Sequence, residues 1–146
     1  MQKENKNQRQ GKIKVVAYSV IAKNQNRASN DYERQKLYYT EKIKANPEWE
    51  IVGVFIDDKT AENEAKKRVE FNKMLALCRR KKVDMIIVES ASQFTRNTPE
   101  LLRYMKELKD FGVDVYFEKQ NLHTIASNGE YFAAKIENAL NMHMGL

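Results

Sequence analysis

In an open α/β sheet the reactive groups collect just past the carboxyl ends of the strands, so the end of the first β-branched run is the place to look for chemistry. That run is Val15-Val16-Ala17-Tyr18-Ser19-Val20-Ile21-Ala22, broken by the polar Lys23-Asn24-Gln25-Asn26 in the manner of a buried first strand. Its last four residues, Ser19 to Ala22, include no acid, no base and no metal ligand. The candidate groups stand elsewhere: Asp57 closes a second apolar run, Arg68 precedes a helix, and Ser90, Ser92 and Arg96 follow a third run. A carboxylate placed like Asp57 orients an arginine or caps a loop more readily than it acts as a base. Ser90 and Ser92 offer hydroxyls, but a hydroxyl is a weak nucleophile without a base, and Gln93 brings neither base nor charge. Arg68 and Arg96 read either as surface, salt-bridging residues or as cations facing a bound phosphate.

Other chemistries find little material. Cys78 is the only cysteine, so no disulfide can form within the chain. It falls at i+7 from Phe71, with Met74 and Leu75 between, which makes it a small core residue rather than a nucleophile. His123 and His143 are far apart and lack acidic or thiol companions at ligand spacing, so neither a metal nor a cofactor is expected. No Gly-rich loop follows the first strand. No apolar run reaches membrane-spanning length and no signal-peptide pattern opens the chain, so the expectation is a cytoplasmic protein without a membrane partner. The net charge of +6 leans mildly toward a polyanionic partner. Its excess lies in the N-terminal tail, in Lys66-Lys67-Arg68 and in Arg79-Arg80-Lys81-Lys82, where a solvated basic surface would account for it equally well.

The elements that position these groups follow from pattern. Its 146 residues suffice for one domain with a proper core. Residues 1–11 are polar and aperiodic and are expected to be a disordered tail. Lys12 to Ile21 is the first strand. Asn30 and Glu33 make a capping box for a helix to about Ala45, with Tyr32, Tyr39 and Ile43 inward and Pro47 barring continuation. Trp49 to Ile56 is the second strand, and Asp57 to Lys67 a polar loop longer than a connection needs. The Phe71–Cys78 helix leads to Val83–Val88, a strand apolar enough to be buried on both faces. Thr98 and Pro99 are expected as N-cap and first residue of a helix that buries Leu101, Met105 and Leu108 and stops at Gly112 in the C′ position. Val113 to Phe117 is a fourth strand. Beyond a linker, Ser127 and Glu130 form a second capping box for a helix whose Phe132, Ile136, Leu140, Met142 and Met144 spread over more than one face. Such a helix lies in a groove or packs on another subunit, and its adaptable methionines favour the subunit.

Alternating strands and amphipathic helices give an α/β, three-layer fold: a mostly parallel four- to five-stranded sheet with helices on both faces. The expected division is a tail over 1–11, a globular domain over 12–126, and an oligomerisation helix beginning at 127.

Taken together, Tyr18–Ala22, Asp57–Phe71, Ser90–Thr98 and Gly112–Glu118 resemble the N-terminal catalytic domain of serine recombinases, the large serine recombinases and transposon integrases in particular. The resemblance runs from about Val15 to the end of the chain. It implies a resolvase-like fold and DNA strand cleavage by a serine that forms a phosphoserine link, with arginines meeting the charge of the pentacovalent phosphate. Carried over by position, the motif Tyr-x-Arg-x-Ser becomes Tyr18 with Val20 for the arginine and Ala22 for the nucleophile. Asp-x-x-x-Ser-Gly becomes Asp57 with Ala61 and Glu62, and the basic residue before the next helix is kept as Arg68. Ser-Arg-Phe-x-Arg becomes Ser92-Gln93-Phe94-Thr95-Arg96, one arginine lost and one retained. Ser19 cannot stand in, because its parity on the strand turns it to the face opposite Val20 and Ala22.

The resemblance therefore implies a recombinase domain that keeps Asp57, Arg68 and Arg96 as remnants and is catalytically inactive. Its expected role is assembly or regulation in DNA recombination, through a homo-oligomer or a hetero-oligomer with an intact recombinase built on the C-terminal helix. DNA contact would be weak, or made through a region absent from this chain. Two alternatives stand beside it: an active recombinase domain disabled by engineering, and an unrelated phosphate- or nucleotide-binding α/β module.

Overall fold

The computed structural model of the chain describes residues 11–22, 28–95 and 97–125. The tail expected over 1–11 lies outside this range except for Gly11, as do Arg96, the linker's last residue and the helix expected from 127 onward.

Five strands form one sheet in the order β2-β1-β3-β4-β5: β1 Ile13–Ile21, β2 Trp49–Asp58, β3 Met85–Val88, β4 Asp114–Phe117 and β5 Leu122–His123. The first four are parallel and β5 runs antiparallel to β4. The sequence explains the order. Strand β3 is buried at all four positions and lies between β1 and β4, where both faces are covered. In β1, Val15, Val16, Ala17 and Tyr18 are fully buried. The β1–β2 register slips by one residue, Val15 facing Ile51 and Val16 facing Gly53, so Val52 is a bulge. A Cβ on Gly53 would come within 3.0 Å of the Phe55 ring, which is why glycine follows the bulge.

Among the described residues, five helical segments pack on the two faces: α1 Ala28–Lys44, α2 Glu64–Lys67, α3 Val69–Arg79, α4 Ala91–Phe94 and α5 Thr98–Asp110. Tyr39 and Ile43 of α1 close over Val15, Ala17 and Ile87 on one face, with Tyr32 only half-buried. On the other, Phe71, Met74, Leu75 and Cys78 of α3 join Leu101, Met105 and Leu108 of α5 over Val16, Tyr18, Ile86 and Val115. Helix α5 ends as expected, with Gly112 at φ 79°.

Four expectations need correction. Helix α1 begins at Ala28, so Asn30 lies inside its first turn and is not the N-cap of a capping box with Glu33. The N-cap of α5 is Asn97, not Thr98: its Oδ1 accepts from Glu100 N at 2.8 Å, moving Thr98 and Pro99 into the first turn, where a missing N–H leaves no intrahelical bond unmade. The segment 57–67 is not a long loop, since Asp57 and Asp58 extend β2 and Glu64–Lys67 coil into the single turn of α2. The linker after β4 contains β5, which at two residues is too short to show any periodicity.

Candidate functional site

Asp57 sits at the carboxyl end of β2 and is 2 % exposed. Three donors converge on its carboxylate: Tyr18 OH at 2.7 Å, Glu70 N at 2.8 Å and Phe71 N at 2.9 Å. The two amides belong to the first turn of α3, where Arg68, the residue at the N-cap, supplies no side-chain cap. Asp57 thus caps a helix from a neighbouring strand, adding its negative charge to the positive end of the helix dipole. It orients and caps; all its nearest partners are donors, which is the wrong setting for a base. Burial, and then the bond to Asp57, hold the Tyr18 phenol well above its ordinary pKa, so Tyr18 stays protonated and donates.

Arg68 is the next layer outward. Its guanidinium lies 3.7 Å from the centroid of the Phe71 ring, and Nη1 donates to Tyr18 OH at 3.4 Å. Phe71 and Tyr18 are themselves in edge contact, ring centroids 5.2 Å apart. The arginine therefore has its plane held by aromatic rings and faces a cavity of about 560 Å³. Lys59 and Lys67 also line this cavity. Lys67 is paired with Glu64 at 3.2 Å, while Lys59 forms no ion pair among the described residues. The three cations outnumber the single acid, and the cavity suits an anion.

Opposite them stand Ser92, Gln93 and Thr95, with Val20 at the end of β1. Gln93 Oε1 accepts from Val20 N at 3.2 Å, and Gln93 Nε2 donates to Glu89 at 3.4 Å. The hydroxyls are committed elsewhere. Ser92 Oγ shares a 3.0 Å bond with Ser90 Oγ, and Thr95 Oγ1 donates to Glu100 at 2.7 Å while accepting from Asn97 N at 3.2 Å. Thr95 is thereby tied into the start of α5. Ser19 turns away from the cavity, and its Oγ donates to Gln35 of α1 at 3.2 Å.

Of the residues singled out in the sequence, Tyr18, Val20, Arg68, Ser92 and Gln93 line the cavity, with Asp57 bonded to the Tyr18 hydroxyl. Ala22, half-buried just after β1, and Ala61, in the turn after β2 with its N–H on Asp58 O at 3.2 Å, are not among the lining residues. Arg96 lies outside the described residues. Lys59, Lys67 and Thr95 were missed. Lys67 was legible only as part of a basic run, and Lys59 and Thr95 carry no periodic or motif signal. No group of three or more His, Cys, Asp or Glu among the described residues could hold a metal, and no described helix is long and apolar enough to cross a membrane.

The family described as Resolvase, N terminal domain matches residues 15–140. The chain belongs to that family. Solved structures share its fold, three of them as follows. A resolvase family site-specific recombinase from Streptococcus pneumoniae superposes with a TM-score of 0.64 at 20% identity, over 92% of this chain and 89% of that one. The N-terminal catalytic domain of TP901-1 integrase gives 0.60 at 13% identity, over 90% and 97%. The C-terminal catalytic domain of ISC1926 TnpA, an IS607-like serine recombinase, gives 0.58 at 22% identity, over 73% and 70%. Comparison with curated proteins gave no match. This resolvase-family chain is a serine recombinase catalytic-type domain in fold and family.

Proposed function

We propose that this resolvase-family domain has lost strand cleavage and serves DNA recombination as an assembly or regulatory module. The observation that carries the reading is the bond between Gln93 Oε1 and Val20 N. Two positions where the family resemblance expects arginines hold a neutral amide and a valine, and the amide is tied to the strand backbone instead of facing a ligand. Ala22, at the position of the nucleophile, offers only a methyl group. Arg68, Lys59 and Lys67 can still meet the charge of a phosphate, so the cavity holds a DNA backbone without the means to cut it. Assembly would run through the residues from 127 onward, with a second copy or an intact recombinase as partner, and sedimentation at micromolar concentration is expected to show dimers or larger species.

The test is the mass of the intact chain after incubation with a pool of nicked suicide duplexes of random sequence. An unchanged mass is expected. A DNA adduct on any hydroxyl, Ser92 and Thr95 included, would overturn the reading.

A further inference from the structure

The basic run after α3 is not used by the cavity, and its backbone is unusual. Helices α3 and α5 end in the same motif. In α5, Val113 N donates to Leu108 O at 2.8 Å and Gly112 N to Lys109 O at 2.9 Å. In α3, Lys82 N donates to Leu77 O at 2.9 Å and Lys81 N to Cys78 O at 3.0 Å. Both are Schellman caps, which place the C′ residue in the left-handed region. Gly112 fills that position in α5 at φ 79°, while Lys81 fills it in α3 at φ 60°. A side chain is strained there and glycine is the residue that fits. A lysine stands where a glycine would make the more stable helix end.

The helix dipole does not account for it. Cations complement a helix C-terminus from the last turn, and α3 and α5 already have Arg79 and Lys109 there. The surroundings point outward instead. Arg80, Lys81 and Lys82 are all exposed, and none forms an ion pair among the described residues. Nearby acids are occupied: Glu107 takes Arg79 in a two-pronged bond at 2.8 and 3.2 Å, and Asp110 pairs with Lys106 at 3.2 Å. The Arg79–Glu107 bond also holds the ends of α3 and α5 together. Asp84 N on Lys14 O at 2.8 Å and Asp114 N on Asp84 O at 3.0 Å fix this region at the amino ends of β1, β3 and β4. Val20, in the cavity, lies six residues along β1 from Lys14, roughly 20 Å at about 3.3 Å per residue. One phosphate cannot reach both.

We infer that Arg80, Lys81 and Lys82 form a second polyanion surface that holds the backbone of duplex DNA at the end of the sheet opposite the cavity. Exposed, unpaired cations without an aromatic or apolar anchor among them suit phosphates and carry no base readout. The inference rests on the DNA-directed reading above, and its experiment separates the two.

The full chain is titrated with a short labelled duplex of arbitrary sequence at several salt concentrations, beside Lys81→Gly and the triple variant Arg80→Gln, Lys81→Gly, Lys82→Gln. With a slope of roughly 0.9 per phosphate neutralised, the triple variant should reduce the slope of log K against log salt by about 3 and Lys81→Gly by about 1. Lys81→Gly should at the same time raise the thermal midpoint. An unchanged slope in the triple variant overturns the inference and leaves the DNA-directed reading standing. A lowered midpoint in Lys81→Gly overturns it too, since the lysine would then serve the helix end. Binding to phosphatidylserine-rich vesicles without binding to duplex overturns it in favour of a membrane surface. No duplex binding by the unaltered chain would remove the DNA-directed reading as well.

Discussion

Replacing Asp57 by alanine takes one acceptor away from three donors at once. Glu70 N and Phe71 N lose the cap on α3, a loss that typically costs about 0.5–2 kcal/mol. Tyr18 OH, on a side chain with no exposed surface, loses the acceptor 2.7 Å away, and a stranded buried hydroxyl costs about 1–3 kcal/mol. Because one carboxylate serves both, the losses will not add cleanly, and a total of about 3 kcal/mol is expected. Urea unfolding followed by circular dichroism, with the m-value checked for constancy, reads it directly. Tyr18→Phe alone should cost about 1 kcal/mol, the scale of one hydrogen bond. The decisive comparison is the double variant. Once Tyr18 has no hydroxyl, Asp57→Ala strands no buried hydroxyl and costs only the cap on Glu70 N and Phe71 N, so the pair should cost at least about 1 kcal/mol less than the sum of the singles. Full additivity, or an Asp57→Ala variant as stable as the parent, would refute the shared-acceptor account.

Three further outcomes follow from burial and backbone geometry. Cys78 is fully buried in the core and burial pushes its thiol up to about 12, so a thiol reagent at neutral pH should label it only as the chain unfolds in denaturant. Rapid labelling of the native protein would contradict the packing of α3. Tyr18 and Tyr39 are both held above the ordinary tyrosine pKa by burial and by bonds to Asp57 and Glu118. The unfolded chain then loses these protons first, so their contribution is intact below about pH 10 and falls above it by about 1.4 kcal/mol per pH unit for each. Tyr39→Phe should lessen that alkaline slope by one proton, and an unchanged slope would count against the buried pair. Gly112→Ala should cost about 1 kcal/mol because its φ of 79° penalises a side chain; no loss in a urea titration would argue against the left-handed cap.

How far the sequence carries is visible in single elements. Phe71, Met74, Leu75 and Cys78 announce their helix by spacing, and all four are buried in it. The apolar run before Glu89 announces β3, buried on both faces. In contrast, β5 is two residues long and α2 a single turn, shorter than the period by which either could be recognised. The site divides along the same line. Tyr18, Asp57 and Arg68 were legible as motif positions, but the role of Asp57 depends on amides 13 and 14 residues away whose approach is set by packing. The position of Arg68 over Phe71 depends on the turn that separates α2 from α3, and Lys59 stands at the cavity with its N–H held on Ile21 O at 2.9 Å. Local pattern specifies the elements; which charges meet depends on the sheet that joins them.

The central claim, that cleavage chemistry is missing at several positions and not at one, is tested most directly by reversion. The unaltered chain, Ala22→Ser alone, and the triple variant Val20→Arg, Ala22→Ser, Gln93→Arg are compared for covalent adduct formation on the same nicked suicide duplexes. A serine at 22 regains the attacking oxygen but faces a phosphate without two pre-placed donors. Each such loss typically lowers rate about 100- to 1000-fold, so the pair removes roughly 5 to 8 kcal/mol of transition-state stabilisation if the effects are near additive. Adduct from the triple variant, with none from the unaltered chain or the single revertant, is the result expected. Adduct from Ala22→Ser alone at a rate near that of the triple variant would contradict it.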